Sequence, residues 1–445
     1  MKIKALHILG IIFTLLATVV TANSQINPNP NPSVDALILN EMNTERFPGV
    51  STIIVKDEKI VWINSYGFAD VQNSIPVRDT TVFLLASVSK LFTGTAAMQL
   101  VENTIIDLDD GVNQYLPWTL QIPGFTSSPV TFRQLMTHSS SIQDNYTVMD
   151  TYYDYPDPSI SLADCMQRYF PTGGIDYNPT ANFLPNIPGS IYEYSNIATA
   201  LNGYLVELAS EMPFNQYCNT NIFDKLCMDK TSWFFADFDS ADVARPYQYS
   251  GGNYIPYNHY GFADYPDGQL RSNVTDMANF MIAYLNGGTF GTNSILSPSA
   301  INQMLTPQIP DLDAYQGLNW YQEELFHSNG STLLWGHNGG ERGASTDIYL
   351  DPVNKIGICI LTNGEGDALT ICDELYDYAL TLNSTTGITP GCLLSANVNE
   401  IKHKIVEKEL IKVIDFLGRE TQVKTNTPLI KIYFDGSVER IFIIE

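Results

Sequence analysis

Basic residues are scarce in this chain. Its 445 residues include 23 lysines and arginines against 48 aspartates and glutamates, which gives a formal net charge of −25. A protein this negative repels phosphate backbones and anionic membrane surfaces, so we exclude nucleic acid as a partner. We interpret the acidic excess as a source of solubility rather than as a specific acidic function.

Cysteine is also sparse, and its spacing fits no zinc-binding pattern. The six cysteines are Cys165, Cys218, Cys227, Cys359, Cys372 and Cys392. Their even number permits disulfides in an exported protein, but a buried free thiol is equally consistent with the apolar, strand-like surroundings of Cys359. The pairing stays open. No cluster of histidines or thiols suggests a metal site, so we expect no metal and no cofactor.

A Gly-x-Ser-x-Gly elbow is absent, which argues against a Ser-His-Asp hydrolase of the α/β-hydrolase type. A long apolar run does occur at residues 5–20, after Lys2 and Lys4 and before a small-residue cleavage pattern. Residues 1–22 are therefore predicted to be an export signal peptide. The alternative is a single membrane anchor, for which the run is short. No cysteine lies near the cleavage site, which argues against a lipid anchor.

A Pro/Asn-rich leader is predicted over residues 23–32. After it, apolar patterning predicts strands at both ends of the main domain, at 50–56, 60–65, 345–350 and 356–361. The region between them is loop-rich and helical, with helices predicted at 83–101 and 274–286, and another follows at 367–382. This order predicts an α/β (α+β) fold, in which an antiparallel sheet is flanked by helices and joined by a mostly helical subdomain.

Ser87 and Lys90 stand three residues apart at the head of the apolar stretch 83–101. On a helix, this spacing places a hydroxyl and an amine on one face, where a neutral amine can take the proton of an attacking serine. No other serine in the chain has lysine at this spacing. For this role, burial and the field of the helix N-terminus must lower the pKa of Lys90 from ~10.4 towards neutrality.

Two further motifs follow Ser87 along the chain. Tyr194 can shuttle a proton, and the amide of Asn196 can hold a substrate carbonyl. His337 precedes Gly339 and Gly340, where small residues allow a substrate to lie along a sheet edge and a backbone N–H can join an oxyanion hole. We expect a strand directly after this motif. Taken alone, Tyr194 is an ordinary buried tyrosine and His337 a turn histidine, but the order of the three motifs favours a catalytic interpretation.

In this order the motifs resemble those of the beta-lactamase-related serine hydrolases. That group contains class C beta-lactamases, D-alanyl-D-alanine carboxypeptidases, D-aminopeptidases and esterases. The resemblance covers about residues 33–385 and extends to further segments at 47–50, 108–110, 116–117, 135–139 and 264–268.

The resemblance implies a role for each motif residue. Ser87 would be the nucleophile, Lys90 its general base and Tyr194 a proton donor to the leaving group. Asn196, His337 and Gly339 would bind substrate, and the backbone N–H groups of Ser87 and Gly340 would form the oxyanion hole. The implied activity is cleavage of an ester or amide in a D-amino-acid peptide, a peptidoglycan fragment or a small ester. The alternatives are a beta-lactamase proper and a catalytically inactive peptide-binding protein of the same fold.

The sequence departs from the group's pattern at two places. His337 stands where true beta-lactamases have lysine, and the histidine form is found among the peptidase and esterase members, which lowers our expectation of antibiotic hydrolysis. The run Ser139-Ser140-Ser141 stands where a Ser-Gly pair is more usual. We therefore expect a differently shaped loop beside the site.

A separate C-terminal module is predicted after a linker at 386–399. Residues 400–445 are lysine-rich and β-prone, and stretches at 410–420, 426–429 and 433–439 resemble the C-terminal sorting domain of Bacteroidetes type IX secretion. The resemblance implies that the secretion machinery is a partner and that the protein is secreted or held at the cell surface, or otherwise periplasmic. The alternative is a small all-β module that packs on the enzyme. The sequence leaves the oligomeric state open.

Overall fold

The computed structural model describes residues 27–391 and, beyond them, the backbone of three strands. The chain forms two compact units, Met1–Pro390 and Gly391–Glu445. The predicted signal peptide at 1–22, the start of the predicted leader and residues 392–399 of the predicted linker lie outside the described residues.

Eleven α-helices are found in the described part of the first unit, interleaved with short 3-10 turns. They are α1 Pro32–Glu45, α2 Ser89–Glu102, α3 Phe132–Met136, α4 Tyr146–Met149, α5 Leu162–Tyr169, α6 Asn196–Ser210, α7 Phe214–Cys218, α8 Asp224–Leu226, α9 Val274–Leu285, α10 Pro298–Met304 and α11 Leu369–Thr381.

Strands occur at both ends of this unit, with short two- to four-residue pairs between them. They are β1 Gly49–Lys56, β2 Lys59–Asp70, β3 Ile75–Pro76, β4 Phe83–Leu84, β5 Tyr153–Asp154, β6 Tyr247–Ser250, β7 Asn253–Pro256, β8 Gly261–Phe262, β9 Arg271–Ser272, β10 Thr289–Phe290, β11 Asn293–Ser294, β12 Tyr321–His327, β13 Gly330–Glu341, β14 Ala344–Asp351 and β15 Ile356–Thr362.

Seven of these strands form one antiparallel sheet in the order β12-β13-β14-β15-β1-β2-β3. The N-terminal hairpin joins the C-terminal strands through β1 and β15, where Ile54 pairs with Ile358. Every residue of β14 and β15 is buried because helices cover both faces of the sheet. This burial explains the nearly continuous apolar runs from which these strands were predicted.

One face of the sheet packs against α1 and α11. Ile38 of α1 and Leu375 of α11 are both fully buried and share a core with Ile54 and Trp62. Helix α9 contacts β1 and β15 of the sheet. It also packs against α2, where the ring centres of Phe92 and Phe280 lie 4.1 Å apart. The predicted antiparallel sheet with flanking helices and a helical insertion is confirmed.

The predicted helix at 83–101 is wrong at its start. Residues Phe83–Leu84 form β4, Ala86–Val88 form a 3-10 turn, and α2 begins only at Ser89. The cause is a set of long-range bonds: Leu85 N–H donates to Leu270 O at 2.8 Å, and Thr346 Oγ1 donates to Leu85 O at 2.6 Å. These bonds hold the segment extended although its residues are apolar.

The predicted leader is not free where the structure describes it. Asn29 Nδ2 donates to Val61 O at 2.7 Å, and Tyr378 donates to Asn29 O at 3.0 Å, so this segment is anchored beside β2 and α11. Four cysteines, Cys165, Cys218, Cys359 and Cys372, are free and buried. Cys227 is disulfide-bonded.

The second unit contains three antiparallel strands, β16 Leu410–Asp415, β17 Pro428–Tyr433 and β18 Val438–Phe442. The rest of the predicted sorting domain lies outside the described residues, so its assignment stays a prediction. Across the described segments, no helix is both long and apolar enough to cross a membrane.

Candidate active site

The nucleophile candidate lies on a strained turn. Ala86 has φ 47°, a left-handed backbone that residues with a Cβ rarely adopt. The turn Ala86–Val88 leads directly into α2, so Ser87 lies just before the helix and Lys90 within its first turn. Strain of this kind persists only where the surroundings hold it, and the bonds to Leu85 described above do so.

Lys90 contacts Ser87 in the way the sequence predicts. Its side chain is fully buried, and Nζ lies 3.0 Å from Ser87 Oγ, 2.7 Å from Asn196 Oδ1 and 2.7 Å from the backbone oxygen of Asp267. The last two atoms can only accept hydrogen bonds. A neutral amine would donate its two N–H groups to them, which leaves its lone pair directed at the Ser87 hydroxyl.

Burial lowers the pKa of Lys90 from its ordinary value, because the charged form loses hydration. The charges of Asp267, Asp144 and Asp264 act in the opposite direction and raise this pKa. Burial is the larger effect. The direction of the shift agrees with the one required of a general base, which must be neutral before it can accept a proton.

Asp144 orients Asn196. The Asp144 carboxylate accepts from Ser195 Oγ, Asn196 N and Ile197 N at 3.0 Å each, and from Asn196 Nδ2 at 2.7 Å. The backbone donors are unpaired groups at the N-terminus of α6, where a carboxylate is stabilised. With Nδ2 held by Asp144, Oδ1 of Asn196 must face Lys90. Asn196 therefore positions the lysine, whereas its predicted contact with substrate stays a prediction.

Tyr194 lies on the other side of the lysine. The centre of its ring is 5.0 Å from Lys90 Nζ, and its hydroxyl interacts with the Ser87 side chain. Burial raises the pKa of Tyr194 strongly, so the phenol is neutral and can relay a proton. His138 packs against this ring at 4.4 Å and accepts the N–H of Ser195 at 3.2 Å, which fixes the backbone that carries Tyr194.

The third motif lies in the last residues of β13, a strand that the sequence did not predict, and the strand expected after it is confirmed as β14, which begins at Ala344. His337 is buried, and burial lowers its pKa to about 3, so the ring is neutral near pH 7. Its Nδ1 is 2.5 Å from Asn338 O. The ring centre lies 6.1 Å from that of Tyr194, which places His337 beside the site.

Gly339 allows β13 to touch the nucleophile turn. A Cβ on this residue would lie 2.4 Å from Thr346 Oγ1, 2.5 Å from Leu85 O and 3.0 Å from the Ser87 nitrogen. Any side chain would therefore push the strand away from Ser87. A Cβ on Gly340, in contrast, would meet nothing within 4 Å. Gly340 lines the same cavity as Ser87, and its role in an oxyanion hole stays a prediction.

A cavity of about 300 Å³ opens above Ser87. Apolar and aromatic side chains form part of its wall, together with Tyr194, Asn196 and four carboxylates. The aromatic and apolar members are Tyr146, Met149, Tyr153 and Phe262, and the acidic members are Asp150, Asp264, Asp267 and Glu341. No group of three or more His, Cys, Asp or Glu side chains within 27–391 is arranged to hold a metal ion.

Several site residues were not predicted as such. Asp144, His138, Asp264 and Asp267 contact or surround the Ser87–Lys90 pair, although the segments 135–139 and 264–268 were already recognised as parts of the resemblance. In the loop Ser139-Ser140-Ser141, Ser141 has φ 62°, a left-handed backbone conformation that glycine favours. The sequence feature that could have indicated Asp144 is its position three residues after Ser141.

Comparisons with known proteins agree with this geometry. The family model described as Beta-lactamase matches residues 34–381, so the chain belongs to the beta-lactamase family, a fold family of serine hydrolases. This confirms the resemblance predicted over about 33–385.

Two relatives illustrate the sequence similarity. Protein flp of Staphylococcus aureus (strain NCTC 8325 / PS 47) is 24% identical over 331 residues, covering 74% of this chain and 62% of that protein. Beta-lactamase-like protein 2 of Dictyostelium discoideum is 26% identical over 337 residues, covering 73% of this chain and 58% of that protein. The chain thus matches less than two thirds of the length of these relatives.

Solved structures show the same fold. A penicillin-binding protein homologue from Pyrococcus abyssi, described as octameric, has a TM-score of 0.66 at 23% identity and covers 92% of this chain and 89% of that one. EstCE1, described as a hydrolase with promiscuous acyltransferase activity, has a TM-score of 0.60 at 20% identity and covers 78% of this chain and 98% of its own.

Proposed function

We propose that this protein is a serine hydrolase that cleaves an ester or amide through an acyl-enzyme on Ser87. The observation that carries the proposal is the fully buried Lys90, whose Nζ lies 3.0 Å from Ser87 Oγ while its other two partners are acceptors only. This arrangement suits a neutral lysine that acts as general base.

In the proposed reaction, Ser87 Oγ bonds to the substrate's carbonyl carbon while its proton passes to the lone pair of Lys90. The carbonyl oxygen becomes an oxyanion that the backbone N–H groups of Ser87 and Gly340 stabilise. The intermediate then collapses, the bond to the leaving alcohol or amine breaks, and the proton on Lys90 reaches that group through Tyr194. Water hydrolyses the acyl-enzyme and restores Ser87.

Export completes the proposal. The support is the charged start, apolar run and small-residue pattern of residues 1–22, together with the sorting-domain resemblance of 400–445. The hydrolase would then act outside the cytoplasm, on D-amino-acid peptides, peptidoglycan fragments or small esters.

The test offers the purified protein a panel of nitrophenyl esters, a chromogenic cephalosporin and D-Ala-D-Ala peptides. Ser87→Ala is the test variant, and Ser127→Ala, which changes an exposed serine, is the matched control. We expect Ser127→Ala to match the unaltered protein and Ser87→Ala to lose all turnover. If Ser87→Ala and the unaltered protein behave alike on every substrate, the catalytic assignment fails. Ligand binding without any covalent adduct would favour the inactive peptide-binding alternative.

A further inference from the structure

The cavity above Ser87 has walls of one charge sign. Four carboxylates line it, from Asp150, Asp264, Asp267 and Glu341, and no lysine, arginine or histidine is among its lining residues within 27–391. Lys90 lies behind the wall and, in the proposed function, is neutral. A substrate whose bound portion carries a carboxylate would therefore meet carboxylates and no basic side chain among the lining residues.

The two outer carboxylates already have partners. Glu341 accepts from the Tyr153 hydroxyl at 2.6 Å and from the Arg342 backbone N–H at 2.7 Å. Asp150 is 60% exposed and pairs with the Arg342 guanidinium at 2.9 Å. Asp150 is therefore in an ion pair and Glu341 accepts two hydrogen bonds, both without a ligand.

The two inner carboxylates are different. Asp264 and Asp267 are only 3% and 5% exposed, and neither is in an ion pair among the described residues. Asp264 Oδ1 has no hydrogen-bond partner there. Lys90 Nζ donates to the backbone oxygen of Asp267 and not to the Asp267 carboxylate. Burying a carboxylate oxygen such as Asp264 Oδ1 without a partner is costly, and a ligand is one reason for a protein to retain it.

Both carboxylates belong to the loop that positions the catalytic lysine. The same residue, Asp267, gives its backbone oxygen to Lys90 and its side chain to the cavity wall. A cation bound against this loop would thus lie next to the Ser87–Lys90 pair. Burial, with the charges of Asp144 and Glu341, raises the pKa of Asp264 to about 7, and burial with the charge of Asp264 raises the pKa of Asp267. A cation bound beside them would lower both pKa values.

We propose that Asp264 and Asp267 bind a primary ammonium group of the substrate, so that this cavity selects esters or amides carrying a free amine near the scissile carbonyl. The inference rests on the proposed hydrolase function and narrows its substrate class. Amino-acid amides and peptides with a free amino terminus have this chemistry, whereas substrates with an acylated amine or a carboxylate there do not.

The test compares three alanine 4-nitroanilides of each chirality, with a free amine, an N-acetyl group or an N-succinyl group. They present a cation, a neutral group and an anion beside the same scissile bond. We expect kcat/KM for the free amine to exceed that for the N-acetyl form by roughly tenfold or more, the scale of one hydrogen bond to a charged group. The N-succinyl form should be slowest.

Asp264→Asn and Asp267→Asn keep the side-chain shape and remove the charge. We expect each to reduce the ratio between free and acetylated substrates, while Asp311→Asn, which removes an exposed charge, leaves the ratio unchanged. Melting temperatures report whether the variants fold, and the substrate series on the unaltered protein decides the matter if they do not.

The outcomes separate the two proposals. Equal rates for the three substrates, or preference for the anion, overturn the ammonium site while leaving the hydrolase intact. A second measurement covers the case in which no nitroanilide is cleaved: butylammonium should slow fluorophosphonate labelling of Ser87 more than butyrate does, and the reverse order overturns the inference. If Ser87 is neither labelled nor acylated by any probe, the proposed function fails and the inference fails with it.

Discussion

The polar network around Lys90 and the carboxylates that line the neighbouring cavity differ in how completely they are paired. In the lysine network, Lys90 has three partners, and the Asp144 carboxylate accepts five hydrogen bonds. Asp264 and Asp267, on the loop whose carbonyl oxygen binds Lys90, are only 3% and 5% exposed, and Asp264 Oδ1 has no partner within the described part of the chain. Compared with Asp144, which is half-buried, these two carboxylates are more deeply buried and less completely paired.

The difference separates two tasks. A fully paired network holds its atoms in one geometry, which a nucleophile and its base need before substrate arrives. An incompletely paired group leaves a free-energy gain for whatever binds to it. The network around Lys90 would then perform the chemistry, and the carboxylates Asp264 and Asp267 would select the substrate.

The largest effect should come from removing the base. Lys90→Met keeps an unbranched side chain that is one atom shorter and deletes its amine, so we expect acylation of Ser87 to slow by about 10³-fold, the scale of general-base catalysis. The rate of the acyl-enzyme burst measures this. Lys355→Met is the control, since Lys355 also donates to a backbone oxygen, Leu285 O, but lies outside the cavity. Wild-type acylation in Lys90→Met would disprove the base role.

A smaller effect is expected where β13 meets the nucleophile turn. Gly339→Ala places a methyl group 2.4–2.5 Å from Thr346 Oγ1 and Leu85 O, so the strand or the turn must move. We expect a lower melting temperature and a loss of kcat/KM of about 10²-fold, as misplacement by an ångström can cause. Gly340→Ala meets nothing within 4 Å and should keep the melting temperature. Equal melting temperatures for the two variants would contradict this account.

The sequence predicted the central strands well because they are apolar throughout. Residues 345–350 and 356–361 fall within β14 and β15. Strands β12 and β13 were missed, since exposed positions and glycines interrupt their apolar pattern. The helix start was misplaced because hydrogen bonds from Leu85 to residues far along the chain decide it.

The site was predictable to a similar extent. The motif residues Ser87, Lys90, Tyr194 and His337 do lie together, since each motif carries its own local signal. The supporting contacts have no local signal. Asp144 bonds Asn196 across 52 positions, and the Asp267 carbonyl reaches Lys90 across 177.

Asp144→Asn tests the network around Lys90 with a smaller expected effect. The Asp144 carboxylate now accepts hydrogen bonds from Ser195 and Asn196. An asparagine at this position would turn its NH₂ group, itself a donor, towards some of these donors. Asn196 would then lose its fixed orientation. We expect kcat to fall by about tenfold. The Asp144 charge raises the pKa of Lys90, so its removal lowers that pKa further. Because the base acts when neutral, the acid limb of the pH–rate profile should move to lower pH, and a shift to higher pH would contradict the assignment.

The smallest effect on the pH profile is expected from His337. Burial holds its pKa at about 3, so the ring stays neutral from pH 5 upwards and contributes no titration there. His337→Gln should change kcat/KM by a factor that is constant between pH 5 and 9. If the acid limb of the unaltered protein disappears in this variant, His337 rather than Lys90 controls the activity.

The most direct test of the central claim is the intact mass of the protein after brief exposure to a slow nitrophenyl ester. The account predicts one added acyl group, which peptide mapping places on Ser87 and which Ser87→Ala lacks. An acyl group on another residue, or hydrolysis that continues unchanged in Ser87→Ala, would contradict it.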